Sequence, residues 1–286
     1  MPLTTIYDGG TRIVGDANAL EQTLHPTVMA YINIMQSASG GNYSMSINEI
    51  DAVNNMVQAL VANGILTKMK ALYPIIGGTA AAHKFNLIDS RDADAAFRLS
   101  FLGGGWIHSA NGIQGNGTSS YANTFLNPLA QGLTTASAHL AFYGRTTSTS
   151  SDGAEIANFS SAALGGLVIQ GRTGFINRYF YGLSLAASRS ITPPVIGMIA
   201  GSSVSTARRD LYQNGLSVAN NNSTDNFTMQ NWSLYIGAGN LNNGTPGSWS
   251  NAQIAFASIG NGLTATEVKA FSTIVQAFQR KLGRQV

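Results

Sequence analysis

This chain of 286 residues predicts a mainly β protein, a sandwich of many short strands with a small α-helical N-terminal region and a closing C-terminal helix. Three observations carry that expectation. Strand-like runs bounded by Gly, Asn, Ser or Pro recur through the second part of the chain: AAFRLSF, SAHLAFYGRT, GGLVIQGRT, VIGMIAGSSVS, RRDLYQNGLSV, NWSLYIGAG and NAQIAFASIG. Such spacing belongs to sandwiches and barrels, not to alternating strands and helices. The 32 glycines supply the turns this needs. The two best-specified helical stripes lie near the two ends of the chain.

The stretch to about Gly41 predicts one short helix, a break at His25-Pro26, and a second helix starting near that proline. A clearer helix follows. Ser46 and Glu49 make an S-x-x-E capping box, Ile47, Ile50, Val53, Val57, Leu60 and Val61 form the apolar stripe, and Gly64 ends it. ILTKMKALYPIIGG then reads as a junction, dividing a helical region (1–76) from a sandwich (77–286). Within the sandwich, Asn214-Gly215 is a hairpin turn of the kind that needs φ > 0 at both central residues. Alternation puts Arg209, Leu211 and Gln213 on one face of the first hairpin strand and Arg208, Asp210 and Tyr212 on the other. The two arginines therefore cannot act as a paired clamp. At the end, Thr264 and Glu267 form a second capping box, Val268, Phe271, Ile274, Val275, Phe278 and Leu282 line one face, and Gly283 terminates the helix.

Composition narrows the function. Charged residues make up only 10% and the net charge is +3, so the polar surface is mostly Ser, Thr, Asn and Gln. The tight basic groups are Arg208-Arg209 and Arg280-Lys281-Arg284, and the second suits a helix C-terminus. No nucleic-acid partner is expected. There is no cysteine, which excludes disulfides, thiolate metal sites and a Cys nucleophile. The N-terminus lacks the pattern of a signal peptide, and no apolar run is long enough for a membrane span, so export by a classical signal and membrane insertion are not expected.

Three segments in order resemble a concanavalin A-like sandwich of the laminin-G-like jelly-roll kind: GIQGNGTSSYANT, RRDLYQNGLSV and AFASIGNGLTATEVKAFSTIVQAF. Longer stretches, MKALYPIIGGTAAAHKFNLIDSRDADAAFRLSF, GGGWIHSANGIQGNGTSSYANTFLNP and VQAFQRKLGRQV, are similar to bacteriophage virion-associated proteins in which a helical region precedes such a sandwich. This resemblance runs from about residue 45 to the end. It implies a structural protein of the particle surface (tail fibre, head fibre or decoration protein), localised to the virion, joined to other virion proteins through its N-terminal region and forming a homo-oligomer. It brings no catalytic site.

Sandwiches also host glycoside hydrolases, which need two carboxylates close together. Glu49 and Asp51 fall in a helix, Asp92 and Asp94 in a solvated loop, and Asp152 and Glu155 in a Ser/Gly loop. A calcium site at that last pair is the less favoured reading there. His25, His83, His108 and His139 have no metal-ligand spacing. GNGTSS, GAGNLN and GNGLTA lack the third glycine of a phosphate loop. The expectation is therefore no enzyme, no cofactor and no metal. Most aromatics read as core. Trp249, in the polar loop NNGTPGSWSN, is the candidate for sugar stacking, with Arg208 and Tyr212 as further candidate binding residues. A host-surface glycan is the candidate small partner, and a glycan-binding lectin module is the alternative to the structural role.

Overall fold

The computed structural model describes residues 6–8, 11–13, 24–38, 44–160, 165–172, 175–180, 187–190, 195–224 and 229–286. In chain order the first elements are β1 (Ile6–Asp8), β2 (Thr11–Ile13), α1 (Pro26–Ala38), α2 (Ile47–Ala62), β3 (Met69–Tyr73) and α3 (Ala80–His83). Then come β4 (Ser100–Leu102), β5 (Ile107–Ser109), β6 (Gly112–Gln114), β7 (Tyr121–Asn123), β8 (Ala138–Gly144), β9 (Ile156–Ser160), β10 (Gly165–Arg172), β11 (Phe175–Phe180) and β12 (Ala187–Ser190). The last are β13 (Gly197–Ser205), β14 (Arg208–Gln213), β15 (Leu216–Asn221), β16 (Tyr235–Ile236), β17 (Gly239–Leu241), β18 (Thr245–Gly247), β19 (Gln253–Gly260) and α4 (Ala265–Lys281).

Two sheets form the sandwich. One runs β15-β14-β13-β8-β19-β6-β5, with β3 also paired to β19. The other runs β12-β11-β10-β9-β16-β7-β4, with β17 lying parallel on β9 and β18 returning beside it. The core between them is built by period-two alternation: Leu140 and Phe142 of β8, Ile199 of β13 and Ile259 of β19 meet Ile156 of β9 and Leu167 and Ile169 of β10.

The central strands of the first sheet, β8, β13 and β19, are buried on both faces. Ala141 and Tyr143 of β8, Met198 and Ala200 of β13, and Phe256 of β19 turn outward and pack under α1, α2 and α4. Every residue of β8 is consequently buried. Both capping boxes form, with Ser46 accepting from the Glu49 N–H and Thr264 from the Glu267 N–H. The hairpin turn is as expected, with φ of 50° at Asn214 and 80° at Gly215. Leu211 faces the sandwich core and Tyr212 the helical layer, as alternation requires.

Several expectations change. Met69–Tyr73, read as part of a junction, is a strand on β19, so the division at residue 76 cuts through shared structure. Residues 24–38 do not stand apart from the sandwich. Val28, Tyr31 and Met35 of α1 are buried in the helical layer. AAFRLSF is a strand only over its last residues, because Asp94–Ala96 makes a 3-10 turn and Phe97 adopts φ of 60°. The short helix expected before His25 falls almost wholly outside the described residues. Among those described, no helix is long and apolar enough to cross a membrane.

Candidate functional site

The outer face of the second sheet carries no helix among the described residues. Residues alternating with the core positions point there: Ala157 and Phe159 of β9, Val168 and Gln170 of β10. Ala154, Ala157 and Val168 form a small apolar cluster with Phe159 packed against it. Beside them, the β17–β18 hairpin stands along β9. Its loop is held tightly, since Asn242 and Asn243 take positive φ and the Asn240 side chain accepts from the Gly244 N–H at 2.6 Å. These elements enclose a pocket of about 260 Å³.

Its apolar floor is Ala157, Val168 and Leu241 with the half-buried Phe159, and its polar rim is Asp152, Gln170 and Ser248. A Cβ at Gly239 would crowd the Leu241 Cδ2 at 3.2 Å, so glycine there leaves the Leu241 side chain in place on the pocket floor. The rim is tied together by its own bonds. Ser248 Oγ donates to Asp152 Oδ2 at 3.2 Å, Gln170 Nε2 to the Asp152 carbonyl at 3.3 Å, and the Ala154 N–H to the Ser248 carbonyl at 2.8 Å. The chemistry on offer is one aromatic face, aliphatic contact, and a carboxylate, a carboxamide and a hydroxyl at the edge.

Glu155, expected in a solvated loop, is instead fully buried. Its Oε1 accepts from Ser250 Oγ at 2.7 Å and its Oε2 from the Gly171 N–H at 2.5 Å. Burial pushes its carboxyl up to about 8, against the lowering effect of those bonds. At neutral pH it is a structural, protonated acid that no substrate can reach. Three of the other carboxylates weighed for chemistry are occupied too. Glu49 caps α2, and Asp92 and Asp94 pair with Lys84 and Arg98. Among the described residues no three His, Asp or Glu side chains come together to hold a metal.

The three candidate binding residues do not share a site. Trp249 is partly buried, next to rim residue Ser248, and its Nε1 is buried without a hydrogen-bond partner. Tyr212 is only 4% exposed beneath the helical layer and has no ring face to offer a ligand, which corrects its reading as a binding residue. Arg208 is exposed on that same helix-covered sheet and forks onto the Asp210 carboxylate at 2.8–3.0 Å. Its neighbour Arg209 is buried and donates to the Ser223 carbonyl. Sequence reasoning missed Phe159, Gln170 and Leu241. Strand alternation places Val168 and Gln170 of GGLVIQGRT on one face, but nothing in that run shows that the face stays uncovered.

No known protein family matches the chain by sequence, and no curated protein does. Solved structures match in fold. An HCR/D mutant aligns at TM-score 0.52 and 11% identity over 73% of this chain and 53% of its own. The botulinum neurotoxin serotype D binding domain aligns at 0.49 and 10%, over 73% and 52%. Domain 4 of AbnA, a GH43 extracellular arabinanase from Geobacillus stearothermophilus, in complex with arabinotriose, aligns at 0.41 and 18%, over 72% and 98%. The chain spans about half the length of the first two. At 11% identity the likeness to the HCR/D mutant is one of fold alone, and it agrees with a two-sheet sandwich.

Proposed function

We propose that this chain is a non-catalytic, glycan-binding sandwich carried on the surface of a bacteriophage particle. The observation that carries glycan binding is the pocket on the open sheet. A sugar ring has aliphatic C–H faces and a hydroxylated edge. Phe159 and Leu241 suit the first, and Asp152, Gln170 and Ser248 suit the second. Assignment to a virion rests on the resemblance of residues from about 45 onward to virion-associated proteins. The helical layer, where Ile47 and Val61 stay exposed, is the side assigned to the particle or to a second copy of the chain.

A panel of oligosaccharides screened by array and then by calorimetry tests the binding. At least one should bind, and Phe159→Ala or Asp152→Ala should weaken it roughly tenfold or more. Arg208→Ala, on the other sheet, should leave affinity unchanged. Binding that survives both pocket variants, or no binding at all, sinks the reading. The same panel should release no reducing ends, and turnover lost on substituting Asp152 would overturn the non-catalytic part. Antibody labelling of purified particles tests the location.

A further inference from the structure

His83, the last residue of α3, and His108, at the centre of β5, lie 25 positions apart, yet their Nδ1 atoms are 3.0 Å from each other. One proton must lie between two such nitrogens, and its owner is fixed by a third group. The Gly78 N–H donates to His83 Nε2 at 3.1 Å, so that nitrogen carries no proton. The neutral His83 ring therefore holds its proton on Nδ1 and donates it to His108 Nδ1. His108 keeps its own proton on Nε2. Both contacts are satisfied with two protons on the two rings, and only then. A third proton on His108 would set Nδ1–H against Nδ1–H. If His83 moved its proton to Nε2 to escape, it would meet the Gly78 N–H instead.

We propose that this pair is an acid-released latch, in which proton uptake by His108 separates the two rings and frees the aromatic stack on β4 and β5 from α3. The stack is well defined. Phe101 meets His108 edge-on at 4.6 Å and Trp106 at 5.3 Å, while Trp106 and His108 lie 6.2 Å apart. It supports a tip that displays Leu102 and Ile107 and turns through Gly103, Gly104 and Gly105, all at positive φ. Ser119 and Ser120 hold the Gly103 and Gly104 carbonyls. The far side of the tip thus stays anchored when the histidine contact goes, and the change is local.

The surroundings hold the latch shut at neutral pH. The Arg284 guanidinium, from the C-terminal tail, opposes a charge on His83, as does His108 itself. Lys84, next to His83, and Arg98, near Phe101, are turned onto Asp92, so their charges are already matched. Burial lowers His83 to about 3 and also lowers His108, and no carboxylate counters it on either ring. His108 is the more exposed ring and the point where a proton enters.

Histidine side-chain NMR and tryptophan fluorescence of the intact protein, followed from pH 8 to pH 3, test this. His83 and His108 should change together with a midpoint below 6.5, alongside a change in Trp106 emission, while far-UV circular dichroism stays constant. Trp106→Phe should remove the emission change and keep the coupled NMR transition. His108→Phe should abolish both. If that variant does not fold, His83→Gln should leave His108 titrating in a single, uncoupled step. Independent titration of the two rings in the natural protein overturns the proposal. So does an acid transition that coincides with global unfolding or persists in His108→Phe.

Discussion

The two sheets follow the same alternation and end with opposite outer faces. On β8, Tyr143 points away from the sandwich core and is buried all the same, because α1, α2 and α4 cover that side. On β9, Phe159 points away from the same core and stays half-buried beside a pocket. Apolar side chains on an outer face therefore have two fates. Where the chain supplies its own helices they become a second core, and each fully buried large side chain stabilises by about 1.5–3 kcal/mol. Where it supplies none, they stay open at a pocket, which is where the proposed ligand would sit. Function is expected on the second sheet, and stability is concentrated around the first.

The largest expected effect tests the stability half of that contrast. Arg284 is 1% exposed and is a tie bar for the helix-covered side. It donates to the carbonyls of Pro74 at 2.7 Å, Ile75 at 2.7 Å, Ala255 at 2.8 Å and Ala110 at 3.3 Å, and to Gln279 Oε1 at 2.6 Å. Burial lowers its guanidinium to about 9. Arg284→Ala leaves several buried acceptors unmatched and should cost about 3–5 kcal/mol in chemical denaturation. A loss below about 1 kcal/mol would mean the tail is not a tie. Next comes Gly215→Val. The turn needs φ of 80° there, and a Cβ would stand 3.1 Å from the Ser272 Cβ and 3.3 Å from the Lys269 Cα of α4. Strain and crowding together should cost about 2–3 kcal/mol, with glycan binding at the distant pocket intact. An unchanged melting temperature would show that the hairpin does not bear on α4.

The third effect comes from protons. Glu155 is raised from 4.5 to about 8, so between those values the folded chain holds a proton that the unfolded chain has lost. Its contribution is complete below 4.5 and disappears as pH rises through 8. His83 and His139 are lowered to about 3 and about 4, so their contribution is present above 6.5 and lost as pH falls. His108 shares that direction. Below 6.5 the histidines outweigh Glu155, and above it Glu155 acts alone, so stability should peak near 6.5. Glu155→Gln should flatten the alkaline arm by about 2 kcal/mol between the peak and pH 8. An arm that is unchanged in Glu155→Gln would assign it to another group.

What could be read in advance was what local chemistry decides. Two capping boxes, an Asn-Gly turn and the long apolar strands β8, β10, β13 and β19 each carry their signal within a few residues. β3 was hidden because it is short, follows a 3-10 turn directly, carries Lys70 in its middle, and has its partner at the far end of the chain. The pocket was hidden for a similar reason, since it depends on β17 running parallel to β9, with partners 82 positions apart such as Ala157 and Gly239. Glu155 looked solvated in its own segment. Ser250 and Gly171, which bury and bond it, come from elsewhere. Arg284 looked like a helix-end cation until its partners at Pro74, Ile75 and Ala255 were in place. The histidine pair left no trace in either of its two stretches.

The smallest expected effect lies on the border between the two faces. Trp249 follows rim residue Ser248 and precedes Ser250, which bonds the buried Glu155. Its Nε1 is buried and has no acceptor, so the folded state carries the desolvation of that N–H without a bond to offset it. Trp249→Phe removes the orphan donor and keeps an aromatic ring. The small cavity left by the lost ring atoms opposes the gain. The two effects should nearly cancel, leaving stability within about 1 kcal/mol of the natural protein, of either sign. Since the N–H is sealed from solvent, glycan affinity at the Phe159 pocket should also be unchanged. A tenfold loss of affinity in Trp249→Phe, with stability intact, would show that a ligand reaches the indole. The binding surface would then extend from the open sheet onto the loop that the sequence had marked for it.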